Sequence, residues 1–183
     1  MSDLNDPRRL IGNLMRLGTI ETLDLAQGTV RVRVGEIVTG DIPFAASRAG
    51  AVRIWSPPSL GEQVLLFCPE GDVEAGIILG ALFCDAHPAP TSDGTFLIDF
   101  ADGTRISYDP QAHKLAITLS ASGAAEITAP GGLTLNADVK LNGKLDATAK
   151  ITSADDVVGG GKSLKGHKHL QVQPGSGVSG LPQ

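Results

Sequence analysis

Leu133-Thr134-Leu135-Asn136-Ala137-Asp138-Val139-Lys140-Leu141 runs through Asn142-Gly143-Lys144 into Leu145-Asp146-Ala147-Thr148-Ala149-Lys150-Ile151. Apart from Gly143, every odd position in it is apolar and every even position polar. Successive side chains of an extended strand point to opposite faces, so the odd residues share one face and the even residues the other. The same parity holds upstream, at Leu115, Ile117, Leu119, Ala125, Ile127 and Ala129, with Lys114, Thr118 and Thr128 between them. Breaks at Ser122-Gly123, Pro130-Gly131-Gly132 and Asn142-Gly143 leave it intact. One chain has no second layer to cover a face so long and narrow. Three copies wound about a common axis would bury the odd positions and leave no strand edge open. A monomeric β-solenoid would also hide a face, but it needs a repeat of fixed length, and the run has none. The expected trimer core is Leu115, Ile117, Leu119, Ile127, Leu133, Leu135, Val139, Leu141, Leu145 and Ile151.

Outward from this run the text changes. Phe96 to Phe100 and Thr104 to Tyr108, joined at Asp102-Gly103, read as a hairpin with the turn residues that tight loops favour. His87-Pro88-Ala89-Pro90 cannot continue a ladder and marks a boundary. Before it, Thr19–Leu23, Thr29–Val34, Gln63–Cys68 and Gly76–Phe83 read as strands of a small closed barrel, with turns at Ala26-Gln27-Gly28 and Glu70-Gly71-Asp72. Trp55, in a Pro-rich connection ending at Gly61-Glu62-Gln63-Val64, is expected to pack as part of that barrel. Asp6-Pro7 opens a short helix that puts Leu10, Leu14 and Leu17 on one face and closes at Gly18.

Composition narrows the function. Of 183 residues 42% are hydrophobic but only 4% aromatic, and the 23 glycines and 11 prolines suit turns between short strands. A net charge of -5 argues against nucleic acid as a partner, since that affinity comes from displacing counterions with Lys and Arg. Cys68 and Cys84 form no C-x-x-C pair and are expected to be buried free thiols. The apolar run after Arg8-Arg9 breaks at Gly12, Asn13 and Arg16, so no signal peptide is read there, and no segment reaches transmembrane length. Synthesis in the bacterial cytoplasm is the expectation.

Enzymatic signals are weak. Gly159-Gly160-Gly161-Lys162-Ser163 has Asp156 where a phosphate-binding loop needs its first glycine, so a turn is expected. No G-x-S-x-G elbow occurs. His167-Lys168-His169 is different, because imidazoles two apart share one face of an extended strand. On a three-fold axis that pair becomes six imidazoles around one point, an octahedral set that suits iron or nickel better than zinc. Such a site has no open position for a reactive water, and the chain is expected not to be an enzyme.

The connection from Trp55-Ser56-Pro57 to Gly61-Glu62-Gln63-Val64, the Asp102-Gly103-Thr104 hairpin, the alternating second half and the late H-x-H together resemble the baseplate assembly protein V family. That family comprises the central spikes of contractile phage tails and R-type pyocins. The resemblance implies an all-β architecture: a short helix and an oligosaccharide/oligonucleotide-binding (OB) type barrel that docks on the tail hub protein (residues 1–88), an intertwined trimeric β-helix (89–161), and a pointed apex (162–183). It also implies one iron per trimer on His167 and His169. Asp155-Asp156, whose side chains would face opposite ways on a strand, is expected as a solvated turn, with an axial calcium or sodium contact there, and chloride on the axis, as the alternative. The implied role is mechanical, a homotrimer in a virion baseplate or bacteriocin particle that crosses the outer membrane when the sheath contracts. A trimeric polysaccharide-binding adhesin or tail-fibre module is the alternative, disfavoured by the scarcity of aromatic residues in the second half.

Overall fold

The computed structural model describes residues 7–168 together with Gly175. The chain divides into two units, Met1–Ile127 and Thr128–Gln183. The first opens with helix α1 (Pro7–Asn13), followed by strands β1 (Met15–Asp24), β2 (Thr29–Val34), β3 (Ile37–Val38), β4 (Ile42–Pro43), β5 (Gln63–Phe67) and β6 (Ile77–Leu82). These strands form one sheet in the order β3-β2-β1-β5-β6, with β4 pairing β2. Phe44, just past β4, bridges to Ile78 of β6, and the Ala45 N–H donates to the Ile78 carbonyl at 2.8 Å. That bridge closes the sheet into a barrel.

Alternation explains the core. Val30, Val32 and Val34 of β2 point inward while Arg31 and Arg33 stay outside, and Val64 and Leu66 do the same on β5. Ile20, Ile42, Cys68 and Ile78 complete the interior, with Leu23, Phe44 and Val73 packed against it. Burial raises the pKa of the Cys68 thiol, which makes it an inert filler and not a nucleophile. Thr39 is the buried polar residue. Its hydroxyl accepts the Val32 N–H at 3.0 Å and donates to the Gly40 carbonyl at 2.8 Å, so its burial leaves no polar group unmet.

Three expectations need correction. The helix stops at Asn13, and Leu17 lies on β1, because Met15 is already in register with Phe67 of β5 and the ladder outcompetes another helical turn. Trp55 is 60% exposed and meets the barrel through a tilted ring contact with Phe44 at 5.7 Å. Its loop leaves the sheet before β5 begins, so the closed interior has no room for it. Cys84 is only partly buried, since it lies beyond β6 in a turn where Cys84 and His87 exchange backbone hydrogen bonds at 3.0 Å each.

Gly18 is where β1 enters the barrel wall. A Cβ there would overlap Val32 Cγ1 and come within 2.9 Å of the Arg33 carbonyl oxygen, which is backbone and cannot swing aside. Gly18→Ala is therefore expected to destabilise the barrel by about 1–3 kcal/mol, the usual cost of overpacking, read as a lower denaturant midpoint.

Candidate functional site

After the barrel, strands β7 (Phe96–Asp99), β8 (Arg105–Asp109) and β9 (Lys114–Thr118) form a separate three-stranded antiparallel sheet. Asp102-Gly103 lies in its first turn, but the loop is three residues long, Ala101 to Gly103, and not the two-residue kind expected of Asp-Gly: the Phe100 N–H reaches the Thr104 carbonyl at 2.9 Å, and Gly103 takes a φ of 86°. The Asp102 carboxylate accepts the Thr104 N–H at 2.8 Å and the Thr104 hydroxyl at 3.1 Å. The Arg105 guanidinium forks onto Asp99 at 3.1 and 2.9 Å across the same hairpin.

The Thr104 bonds hold the Asp102 carboxyl below its ordinary value. A depressed carboxyl stabilises the fold fully above its unfolded pKa and loses that contribution as pH falls through its folded pKa. Thermal stability is thus expected to stay level from neutrality down to the ordinary carboxylate range and to drop on further acidification. Asp102→Asn is expected to flatten that drop in a pH series of melting curves.

Register, more than spacing, defines what this sheet offers. Phe96 stands opposite Tyr108 and Tyr108 opposite Leu115; Ile98 stands opposite Ile106 and Ile106 opposite Ile117. Directly opposed residues share a face, so the two rows make one continuous apolar surface. All but Ile106 on the central strand are exposed. Leu115 and Ile117 were expected in such a surface; Phe96, Ile98, Ile106 and Tyr108 were not. A water-facing surface of this kind marks a contact site.

Residues 119–157 contain no regular strand within one chain. Turn hydrogen bonds fall near two of the expected breaks, Gly123 N–H to Ser120 at 2.8 Å and Gly132 N–H to Ala129 at 2.9 Å. Leu119 is half-buried. Ile127, Leu133, Leu135, Val139, Leu141, Leu145 and Ile151 are each more than half exposed, from 56% at Leu141 to 75% at Ile127. Large aliphatic side chains facing water in such a series mark a contact surface.

Among its described residues the second unit carries a small hairpin, β10 (Val158–Gly159) and β11 (Lys162–Ser163). Gly160 and Gly161 join them with φ of 55° and 76°. Positive φ at both central residues is the requirement of a two-residue hairpin turn, and glycine meets it without strain, so the glycine run is a turn. Asp156 sits at its base. Its Oδ1 accepts the Val157 N–H at 2.8 Å and the Lys165 N–H at 3.1 Å. Hydrogen bonds from Ser163 and then Lys165 hold the Asp156 carboxyl below its usual range.

His167 follows directly. Its Nδ1 lies 3.0 Å from the Ser163 carbonyl and 3.2 Å from that of Leu164. Carbonyls only accept, so Nδ1 carries the proton and Nε2 the lone pair in the neutral ring. That tautomer, fixed by a backbone carbonyl, is the one metal-ligating histidines use. The donor chemistry at His167 therefore fits a metal. His169 lies outside the described residues.

The residues from Arg16 near the start of β1 to Phe83 just past β6, which are the barrel, match the family model of the type VI secretion system/phage-baseplate injector OB domain. Over 182 residues, 98% of this chain and 83% of the relative, the sequence is 30% identical to the "Spike protein" of Escherichia phage P2. The chain belongs to the phage baseplate spike family. As a spike-family protein it is a component of a tail baseplate, and its all-β build with an OB barrel is the family's injector domain followed by further β structure. The spike-family alignment covers 182 residues and so extends beyond the barrel, across the part that carries the exposed apolar series.

Proposed function

We propose that this spike-family protein is a homotrimeric, non-catalytic piercing tip, docked through its barrel on the tail hub protein and driven through a bacterial outer membrane by sheath contraction. The observation that carries the proposal is the exposed apolar series of the single chain: the sheet face from Phe96 to Ile117 and the odd-numbered large aliphatic residues from Ile127 to Ile151. Further copies of the same chain present residues of the same pattern to meet it. Burying a Leu or Ile side chain releases about 1.5–3 kcal/mol, and a three-fold axis collects that from every copy. Residues 119–157, which lack ladder partners of their own, would find them in neighbouring copies.

Supporting the piercing role is the apex chemistry. His167 and His169 from three copies would supply six imidazole nitrogens to one iron ion. Bound there, the ion cross-links three chain ends where little apolar area is left to hold them. Six protein ligands would leave no position for substrate, so the task is a mechanical lock. Native mass spectrometry with elemental analysis tests the whole reading. Three chains with one iron are expected; a stable monomer at micromolar concentration would refute it.

A further inference from the structure

We propose that an arm of the barrel, residues 45–56 between β4 and β5, is the element that grips the docking partner, with Trp55 as its apolar anchor and Arg48 and Arg53 meeting carboxylates on a protein surface. The inference deepens the docking reading above and rests on it for the identity of the partner, the tail hub protein.

The arm is a built feature. The connection from β4 to β5 spans residues 44–62, beyond the length of about 15 residues above which an ordered loop is usually functional. Its first foot is the Ala45 N–H on the Ile78 carbonyl of β6 at 2.8 Å. The chain then folds back on itself: Ala49 bridges Arg53 in antiparallel fashion, and the Ile54 N–H donates to the Arg48 carbonyl at 3.0 Å. Its second foot is Trp55, whose ring leans on Phe44, and Phe44 packs against the barrel core. Pro57 and Pro58 stiffen the return. An arm held at both feet has little freedom left to lose on binding.

All of it nevertheless faces water. Every residue from 45 to 56 is exposed, including the apolar Val52, Ile54 and Trp55. Charge sets the kind of partner. Between Asp41 and Glu62 the sequence has two arginines and no acidic residue, in a chain whose net charge is -5. Arg31, Arg33 and Arg105 are each paired with a carboxylate, whereas among the described residues Arg48 and Arg53 form no ion pair. Exposed Trp and Arg are the residue types that dominate binding energy at protein interfaces. Two unneutralised guanidinium groups near an indole complement carboxylates beside an apolar recess. A nucleic acid fits this surface less well. A bound strand needs a track of cations and several stacking aromatics, and the outward Arg31 and Arg33 of β2, the strand beside β4, are already neutralised by Asp41 and Glu21.

The test is binding of the full-length chain to the purified hub protein of the same tail, at low and high salt. Trp55→Ala is expected to weaken binding about 30-fold, as loss of an interface anchor does, with the salt dependence kept. Arg48→Glu with Arg53→Glu is expected to weaken it about 100-fold, to slow association and to abolish the salt dependence; Arg48→Lys with Arg53→Lys keeps the association rate. The arginine pairs touch nothing the barrel packs, so their thermal midpoints are expected to match the parent, and they decide the matter if Trp55→Ala lowers its own. Parent-like hub binding in both the Trp55→Ala and the charge-reversed variants overturns the arm and leaves docking to another face of the barrel. A parent that does not bind the hub sinks the docking reading and the arm with it. Arm-dependent binding of a single-stranded oligonucleotide, with hub binding indifferent to the arm, overturns the assignment to a protein partner.

Discussion

Leu135→Asp or Val139→Asp is expected to abolish the trimer, while Asn136→Asp between them leaves it intact. Leu135 and Val139 are 62% and 68% exposed in the isolated chain, so neither substitution disturbs anything the monomer packs. The cost arises on assembly, where three carboxylates would meet on a dry axis. Each carries a desolvation penalty on the order of several kcal/mol, and like charges a few ångströms apart add to it. The acids could escape by protonating, but that too costs free energy at neutral pH. Asn136 belongs to the opposite face, where a carboxylate keeps its water. Sedimentation velocity separates the outcomes. Equal behaviour of Leu135→Asp and Asn136→Asp would show that parity does not decide which face is buried.

Replacing both histidines, His167→Ala with His169→Ala, is expected to remove the metal entirely without dispersing the trimer. The long apolar series supplies the assembly energy, and the apex supplies only a local lock. A metal that binds the folded form alone stabilises it in proportion to the logarithm of its free concentration over its dissociation constant. Loss of the ion is thus expected to lower the thermal midpoint of the parent to that of the double variant, and added chelator to reproduce the shift. Neutral imidazoles are needed as ligands, so acidification through the ordinary histidine range near pH ~6.5 weakens the site as well. Iron retained in the double variant, or a trimer that falls apart with the histidines, would each contradict this division of labour.

How much was legible in the sequence differs between the two halves. In the barrel, Thr29–Val34 was readable to the residue because its valines and arginines alternate without interruption. Strand β1 was read too short, at Thr19–Leu23, since Met15-Arg16-Leu17 continues a helical spacing of leucines as plausibly as it begins a strand. Its register against β5 is a nonlocal fact, and pairing with Leu65, Leu66 and Phe67 overrides the local preference. Trp55 misled for a related reason. A large aromatic near a barrel is usually interior, but which loops reach the interior is decided by where the sheet closes.

The site shows the same limit more sharply. The odd-numbered apolar series was visible because parity persists over a long run, and so was the H-x-H spacing. Phe96, Ile98, Ile106 and Tyr108 were missed because they are even-numbered. The turn between β8 and β9 changes the parity of the chain, and only the pairing Tyr108–Leu115 reveals that both sets share one face. Asp156 was read as part of a solvated turn, since nothing local says that the Lys165 N–H returns to it. Period, turn chemistry and ligand spacing are properties of neighbours along the chain, so the sequence by itself determined them. Barrel closure through Phe44 and Ile78, the face shared across β7 to β9, and the return of the Lys165 N–H to Asp156 depend on residues that folding brings together, and only the tertiary structure decided those.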